Sequence, residues 1–357
     1  MQAYLDARGL EALVVSTPLN IAYLSGFSAS AGLLVVTLRN CFLLVDGRYD
    51  VAAHESLAAG RMGPVVVERV EGRYDKTLAS VVLREGLRRA GFETGYVTVA
   101  TLSGWQRAMP DVEWEPTERV VEGQRVIKDA GEIETLRRAA DVLTRAASQL
   151  PALIARGRTE QEVAAGIDSA LIDSGFQRTA FTTIVASGPN SALPHARPSS
   201  RQLAEGDLVL LDFGGVLDGY CVDLTRMAAV GSPSSSALTL HGSVREANVA
   251  AVRAVRPGIP ASDIDRAARA VLEAKDLGEA FRHATGHGLG LEVHEAPRLG
   301  RADGEPQERL EAGMVFTIEP GAYVEGVGGV RLEDDVLVTP GGCEVLTKNV
   351  PHDLLRV

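Results

Sequence analysis

The feature that most constrains this chain is a carboxylate set at the end of an apolar run. Leu208-Val209-Leu210-Leu211 leads directly into Asp212, Phe213 and Gly214. After a Gly/Asp-rich turn, Tyr220-Cys221-Val222-Asp223-Leu224-Thr225-Arg226 reads as the returning strand. Alternate residues of a strand share a face, so the hairpin can bring Asp212 and Asp223 together. Acids beside a turn are usually solvated, but a carboxylate between Leu211 and Phe213 is expensive to bury without a cation. The pattern returns downstream. Met314-Val315-Phe316-Thr317-Ile318 ends in Glu319, and Gly329-Val330-Arg331-Leu332 leads to Glu333.

Between these carboxylates, Phe281 to Pro297 holds His283, His287 and His294, three of the chain's seven histidines. A lone histidine is usually a polar residue with a partner. Three interleaved with glycine in an acidic protein favour a site, because glycine permits tight backbone near a ligand. No two-histidine helical zinc motif occurs. Asp212, Asp223, Glu319, Glu333 and His287 form a set of four carboxylates and one imidazole. Hard oxygen ligands plus one nitrogen suit Mn, Co, Zn or Fe more than a thiolate-bound metal. Four negative charges match two divalent metal ions, with manganese the first expectation and cobalt or zinc the alternatives. Two such ions, about 3.5–4 Å apart, activate water and stabilise a tetrahedral intermediate.

The rest of the chain sets the context. Its 357 residues are comfortable for two domains. Ala12–Val15, Leu33–Val36, Phe42–Val45 and Val65–Val67 are apolar strand candidates alternating with helical patterns, which suits an α/β domain. A charged, non-periodic stretch near 116–128 marks a boundary, giving domains 1–120 and 121–357. A helix then follows from Ile133 through Leu150, which Pro151 should kink or end. A second helix opens at a capping box, Thr159 to Glu162, and runs to Gly175. About one hundred residues later Ser262 is a candidate N-cap for another helix. Both helices lead into segments bearing His, Asp and Glu, which suggests two pseudo-twofold halves with a site between them.

The net charge of −11 and the absence of a Lys/Arg-rich run argue against nucleic acid or an anionic membrane as partner. Met1–Leu10 lacks the apolar core of a secretory leader, and no run is long enough to span a bilayer. Cys41, Cys221 and Cys343 fit neither a disulfide framework nor a zinc-thiolate spacing, so a cytoplasmic location is expected.

At these residues the chain closely resembles the peptidase family containing methionine aminopeptidase, aminopeptidase P, prolidase and creatinase. The carriers are SGPNSALPH (Ser187 to His195), LDFGGVLDGYCVDLTR (Leu211 to Arg226), HATGHGLGLEVHEAP (His283 to Pro297), FTIEPGAY (Phe316 to Tyr323) and VRLED (Val330 to Asp334). NIAYLSGFSAS (Asn20 to Ser30) and LLVDGRYDVAA (Leu43 to Ala53) resemble the creatinase-type N-terminal domain of the proline-specific members. The resemblance implies a creatinase-like α/β domain followed by a pita-bread catalytic domain. It implies that Asp212 and Asp223 bind one metal and His287 and Glu319 the second, with Asp223 and Glu333 bridging.

By the same resemblance His195 lies on the substrate side, and His294 stabilises the developing oxyanion. His283 and Arg331 match the proline-specific branch, and Glu319 doubles as proton acceptor and carrier. The implied reaction is hydrolysis of the bond before proline in short peptides, by a homodimer. The first reading is an Xaa-Pro dipeptidase (prolidase), with Arg331 clamping the prolyl carboxylate and His283 flanking the ring or sharing that contact. The alternative is an aminopeptidase P acting on longer peptides. Metal-free creatinase-like chemistry and a non-catalytic binding module are disfavoured, because all five ligand positions are filled. His54, His241 and His352 match no motif and are read as structural or surface residues.

Overall fold

The computed structural model describes residues 1–302 and 308–357, in two compact units, Met1–Gln124 and Arg125–Val357. The first unit is built on one six-stranded mixed sheet. Its strands are β1 (Ala12–Val15), β2 (Leu33–Thr37), β3 (Cys41–Asp46), β4 (Val66–Val70), β5 (Arg89–Glu93) and β6 (Glu113–Thr117). They lie in the order β4-β3-β2-β1-β5-β6. The helices are α1 (Gln2–Arg8), α2 (Pro18–Ser25), α3 (Asp50–Ala58), α4 (Tyr74–Glu85) and α5 (Val99–Ala108). Every residue of β1 is buried, as a central strand covered on both faces requires. Strands β5 and β6 were not legible as apolar runs. Both carry charged residues, and one of these, Glu93, is buried for a structural reason taken up below.

A single turn, α6 (Glu122–Arg125), falls at the junction in sequence. The second unit opens with α7 (Ala130–Ala147), where Asp129 and Glu132 form a full capping box. The helix stops before the expected Pro151, which instead sits in the first turn of α8 (Leu150–Leu153). Helix α9 (Glu160–Ser174) has the expected capping box of Thr159 and Glu162 and ends at Gly175 in a left-handed conformation. After β7 (Arg178–Thr179) and β8 (Ile184–Ser187) comes the long hairpin of β9 (Leu208–Leu217) and β10 (Tyr220–Ala229). Its turn, Asp218-Gly219, has positive φ at both residues, 49° and 86°, the backbone that matches strand twist.

The element order then repeats. Helices α10 (Ser235–Ala254) and α11 (Ser262–Glu273) pack together as α7 and α9 do, and lead into β11 (Gly286–Gly288) and β12 (Glu295–Leu299). Strands β13 (Val315–Ile318), β14 (Gly321–Val324), β15 (Gly328–Arg331), β16 (Asp334–Thr339), β17 (Gly342–Val345) and β18 (Leu355–Arg356) follow. One sheet runs β18-β10-β9-β7 with β8 also on β9, the other β12-β11-β13-β16-β17, and β14 pairs with β15. Ser262 does not cap α11: the cap is Ala261, and Ser262 is buried as the first helical residue. Backbone bonds from Asp263 to Pro260 and from Ile264 to Ala261 close that first turn without a side chain. Among the described residues no helix is long and apolar enough to cross a membrane.

Candidate metal centre

Pairing in the β9–β10 hairpin sets Asp212 opposite Thr225 and Asp223 opposite Gly214. Asp223 and Thr225 are two apart, so Asp212 and Asp223 are diagonal neighbours on one face. In the second sheet Ile318 pairs with Asp334, which brings the residues just beyond β13 and just before β16, Glu319 and Glu333, to the same end. His287 rides on β11 between two glycines. A Cβ at Gly286 would sit on the Thr317 carbonyl and one at Gly288 on the Ala296 carbonyl, so the interleaved glycines let β11 slot against its neighbours.

The five side chains converge. Ligand-type atoms of Asp223, His287 and Glu333 all lie within 4.8 Å of one another. His287 Nε2 is 3.9 Å from Asp223 Oδ2 and 3.4 Å from Glu319 Oε1. His287 Nδ1 lies 3.1 Å from the Gly288 carbonyl, which can only accept, so the proton sits on Nδ1 and the Nε2 lone pair faces the carboxylates. Glu319 is held through its amide, which donates to the Thr285 carbonyl at 2.7 Å. Glu333 Oε2 accepts from Thr225 Oγ1 at 2.6 Å.

The electrostatics are those of a site built for cations. Burial pushes Asp223 well above the usual carboxylate range, and the charges of Glu333 and Asp212 add to this. Glu333 is raised in the same way by burial and by Glu319, and burial lifts Glu319 to about 7. Asp212 is also raised by burial, with Arg331 acting against it. Burial lowers His287 to about 4, so its imidazole is neutral near pH 7, as a metal ligand must be. Oδ1 of Asp212 and of Asp223 are buried with no hydrogen-bond partner among the described residues. Orphaned carboxylate oxygens turned into such a cluster fit divalent cations and little else.

Around the centre, the His294 ring is 4.2 Å from that of His287 and exposed. Arg331 is 5% exposed and engaged on all sides. Its Nη2 donates to Asp212, Nη1 to Tyr323 Oη at 2.9 Å and to the Pro194 carbonyl at 3.4 Å, and Nε to Thr225 Oγ1 at 3.1 Å. His283 Nδ1 lies 2.8 Å from the Ala284 carbonyl and Nε2 3.0 Å from Tyr323 Oη. That geometry makes His283 the acceptor of the tyrosine hydroxyl. Burial, with the Arg331 charge, lowers His283 to about 4. His195 lies on an exposed loop after the 3-10 turn Gly188–Ala192, next to the Pro194 carbonyl that Arg331 contacts.

A profile of metallopeptidase family M24 matches residues 134–340, and one of the creatinase/prolidase N-terminal domain matches residues 1–127. The chain belongs to metallopeptidase family M24. An Xaa-Pro dipeptidase of Pyrococcus horikoshii is 34% identical over 347 residues, 97% of this chain and 95% of its own. The structure of an Xaa-Pro dipeptidase from Bacillus anthracis matches with TM-score 0.94 and 34% identity, covering 100% of this chain and 98% of that one. An X-Pro aminopeptidase from Thermotoga maritima matches with TM-score 0.90 and 32% identity, covering 98% of both chains. Family M24 makes this protein a metallopeptidase that uses divalent metal, with the mixed α/β fold and creatinase-type N-terminal domain expected of it.

In this M24 chain three site residues escaped the sequence. Tyr323, 2% exposed, links His283 to Arg331, although it lies within a motif already singled out. Thr225 holds Glu333, a contact foreshadowed only by its sharing a face with Asp223. Asp335, fully buried, accepts the Asp223 amide at 3.1 Å and leaves Oδ1 unpartnered. His352, read as structural, is bonded to Asp334 at 2.6 Å, and Asp334 in turn pairs with Arg226.

Proposed function

We propose that this chain is a dinuclear Xaa-Pro dipeptidase that hydrolyses the bond before proline. The observation that carries the chemistry is the convergence of Asp212, Asp223, Glu319, Glu333 and His287, with two carboxylate oxygens left unpartnered. When bound, two divalent cations, manganese first, would supply a water acidic enough to attack at neutral pH and polarise the carbonyl. The chain's residues do the rest. Asp212 and Asp223 would hold one ion and His287 and Glu319 the other, with Asp223 and Glu333 placed to serve both. Glu319, beside that water, would take its proton and pass it to the proline nitrogen, which has no hydrogen of its own. His294, exposed beside His287, donates to the oxyanion, and His195 lines the substrate side.

A cavity of about 410 Å³ beside His283 supports the choice of dipeptides. Arg282, Arg298 and Arg301 line it with one acid, Glu279, and none of the three arginines makes an ion pair among the described residues, in a protein of net charge −11. A dipeptide presents its prolyl carboxylate next to the scissile bond, and a guanidinium fork pairs well with it. Arg331, the first candidate for that clamp, is spent on Asp212 and Tyr323, so the clamp falls to this cavity. Neutral His283 then flanks the proline ring. Three unpaired cysteines suit a reducing cytoplasm. The homodimer rests on the family resemblance alone.

Kinetics of the manganese-loaded enzyme on an Xaa-Pro dipeptide, its C-terminal amide and an Xaa-Pro-Xaa tripeptide test this reading. The dipeptide should be cleaved fastest. Arg298→Ala should cost it about tenfold or more with little effect on the amide, whereas Arg331→Ala should cost both alike. A tripeptide cleaved as fast as the dipeptide would make this an aminopeptidase P.

A further inference from the structure

Glu160, the first residue of α9, is fully buried and lies outside the metal centre. Among the described residues no cation pairs with it directly, although Arg201 Nη1 donates at 2.6 Å to the Ser187 hydroxyl beside it; it accepts six hydrogen bonds from three residues of one loop. Oε1 takes the Ser187 amide and hydroxyl, both at 2.7 Å. Oε2 takes the Ser199 amide at 3.0 Å and hydroxyl at 2.6 Å. Asn190 Nδ2 donates to both oxygens, at 3.0 and 3.1 Å. Two backbone bonds complete the tie, with the Glu160 amide donating to the Arg201 carbonyl and the Gln161 amide to the Ser199 carbonyl. Burial raises this carboxyl, but the Ser199 and Ser187 donors outweigh it and leave it below its ordinary value.

Ser187 and Ser199 are the two ends of the loop that carries Leu193, Pro194 and His195. One carboxylate therefore holds both ends of a compact loop, alongside the Arg201 bond to Ser187 at 2.6 Å that also closes the base. Nearer the tip, Ser191 is buried with its Oγ accepting the Gly329 amide at 2.9 Å, Ala196 packs into the core, and the Pro194 carbonyl meets Arg331 at 3.4 Å, while His195 itself is exposed. The position of His195 relative to Arg331 and the centre is thus set by these contacts together with the base that Glu160 holds.

We infer that Glu160 is a positioning residue for catalysis, a clasp whose two oxygens fix the loop bearing His195. The inference rests on the proposed substrate-side role of His195. An isosteric amide cannot replace the clasp. All the side-chain and amide groups facing Glu160 are donating, and the NH2 of a glutamine would meet amide hydrogens on one side. Misplacing a substrate-contacting group by about 1 Å costs about 10²-fold in rate.

The experiment combines E160Q, H195A and the double variant in the metal-loaded enzyme. Hydrogen exchange at amides 188–198 should rise at least tenfold in E160Q while the β9–β10 hairpin keeps its protection. Metal content should equal that of wild type, and kcat/KM on an Xaa-Pro dipeptide should fall by about tenfold to 10²-fold. In the H195A background E160Q should add less than about twofold, because a clasp acting through the histidine has nothing left to position. Should E160Q prove poorly folded, S199A, which removes one hydroxyl from the same carboxylate, should show the same coupling at smaller amplitude. Unchanged loop exchange in E160Q overturns the clasp and leaves the histidine assignment standing. Full activity of H195A overturns that assignment and the positioning role with it. Multiplicative losses in the double variant show Glu160 acting elsewhere and overturn the inference.

Discussion

Two kinds of buried carboxylate occur in this chain, and they solve one problem in opposite ways. Glu160, like Glu93 in the first unit, is enclosed by neutral donors. Glu93 accepts from the Ser16 and Thr17 amides at 2.6 and 2.8 Å, from both hydroxyls, and from Asn20 Nδ2 at 2.6 Å, at the start of α2. Asp212, Asp223 and Glu333 are buried next to one another with Glu319 half-buried beside them; the four share few donors and keep two oxygens with none among the described residues. The first arrangement is complete in the folded chain, since charge-assisted hydrogen bonds replace lost hydration. The second sets four carboxylates against a single guanidinium, Arg331 on Asp212, and its members raise one another's pKa instead. Burial alone does not mark a metal site; burial without donors does.

The largest expected effect breaks the second arrangement directly. Asp223→Asn or Glu333→Gln removes a charge shared by both proposed ions. Since a bound ion supplies several kcal/mol of transition-state stabilisation, activity should drop by about 10³-fold or more. Circular dichroism should stay that of wild type. Full activity of either variant, or of chelated enzyme, would sink the mechanism.

Much of the second arrangement was legible and little of the first. Asp212, Glu319 and Glu333 announce themselves because each ends an apolar run, and His287 because glycines flank it. The hairpin was readable from Asp218-Gly219 between apolar strands. Glu160 and Glu93 gave no such signal. Glu160 stands in the first turn of a helix, where acids are common on exposed faces, and its donors lie 27 to 39 residues away. Glu93 depends on donors 73 to 77 residues away. Tyr323 joins His283 and Arg331 only once β14 and β15 pair, and β6 stayed hidden because an edge strand with one apolar stripe has no distinctive period. Local pattern reveals a conflict, such as an acid among leucines, far better than its long-range resolution.

Next in size is His294, which borders the centre without belonging to either kind of carboxylate. If it donates to the oxyanion, His294→Ala should lower kcat by about 10²-fold with a smaller change in KM. A change confined to KM would place it in ground-state binding.

Acid should reveal the second arrangement by competition. Glu319 holds its proton up to about 7 in the metal-free fold, and Asp223 and Glu333 are raised as well. A ligand carboxylate must lose that proton to bind metal. Below pH 7 metal affinity should therefore fall about tenfold per unit for each proton displaced. Calorimetric titrations between pH 5.5 and 8 would read the slope, and a flat profile would mean that the cluster is already ionised.

The smallest effect separates the two arrangements by sign, in the metal-free protein. Asp223 has a folded pKa above its unfolded value. Its favourable contribution is present only below the unfolded pKa, and it is lost as pH rises through the folded one. At pH 8 the carboxylate is a liability, so Asp223→Asn should leave the unfolding midpoint unchanged or raise it. Glu160 is the reverse case: its folded pKa is lowered, so its contribution is present above the unfolded value and lost only as pH falls through the folded one. At pH 8 Glu160→Gln should lower the midpoint by a few degrees, since about 1 kcal/mol shifts a unit of this size by about 2–4 °C. Between pH 8 and 5 the gain from Asp223→Asn should shrink, because the wild-type carboxyl takes up its proton, while the loss from Glu160→Gln should persist. Calorimetry of both variants after chelation decides the matter. Equal losses in the two would mean that the centre is satisfied without metal, and the distinction between a clasp and a cation site would fail.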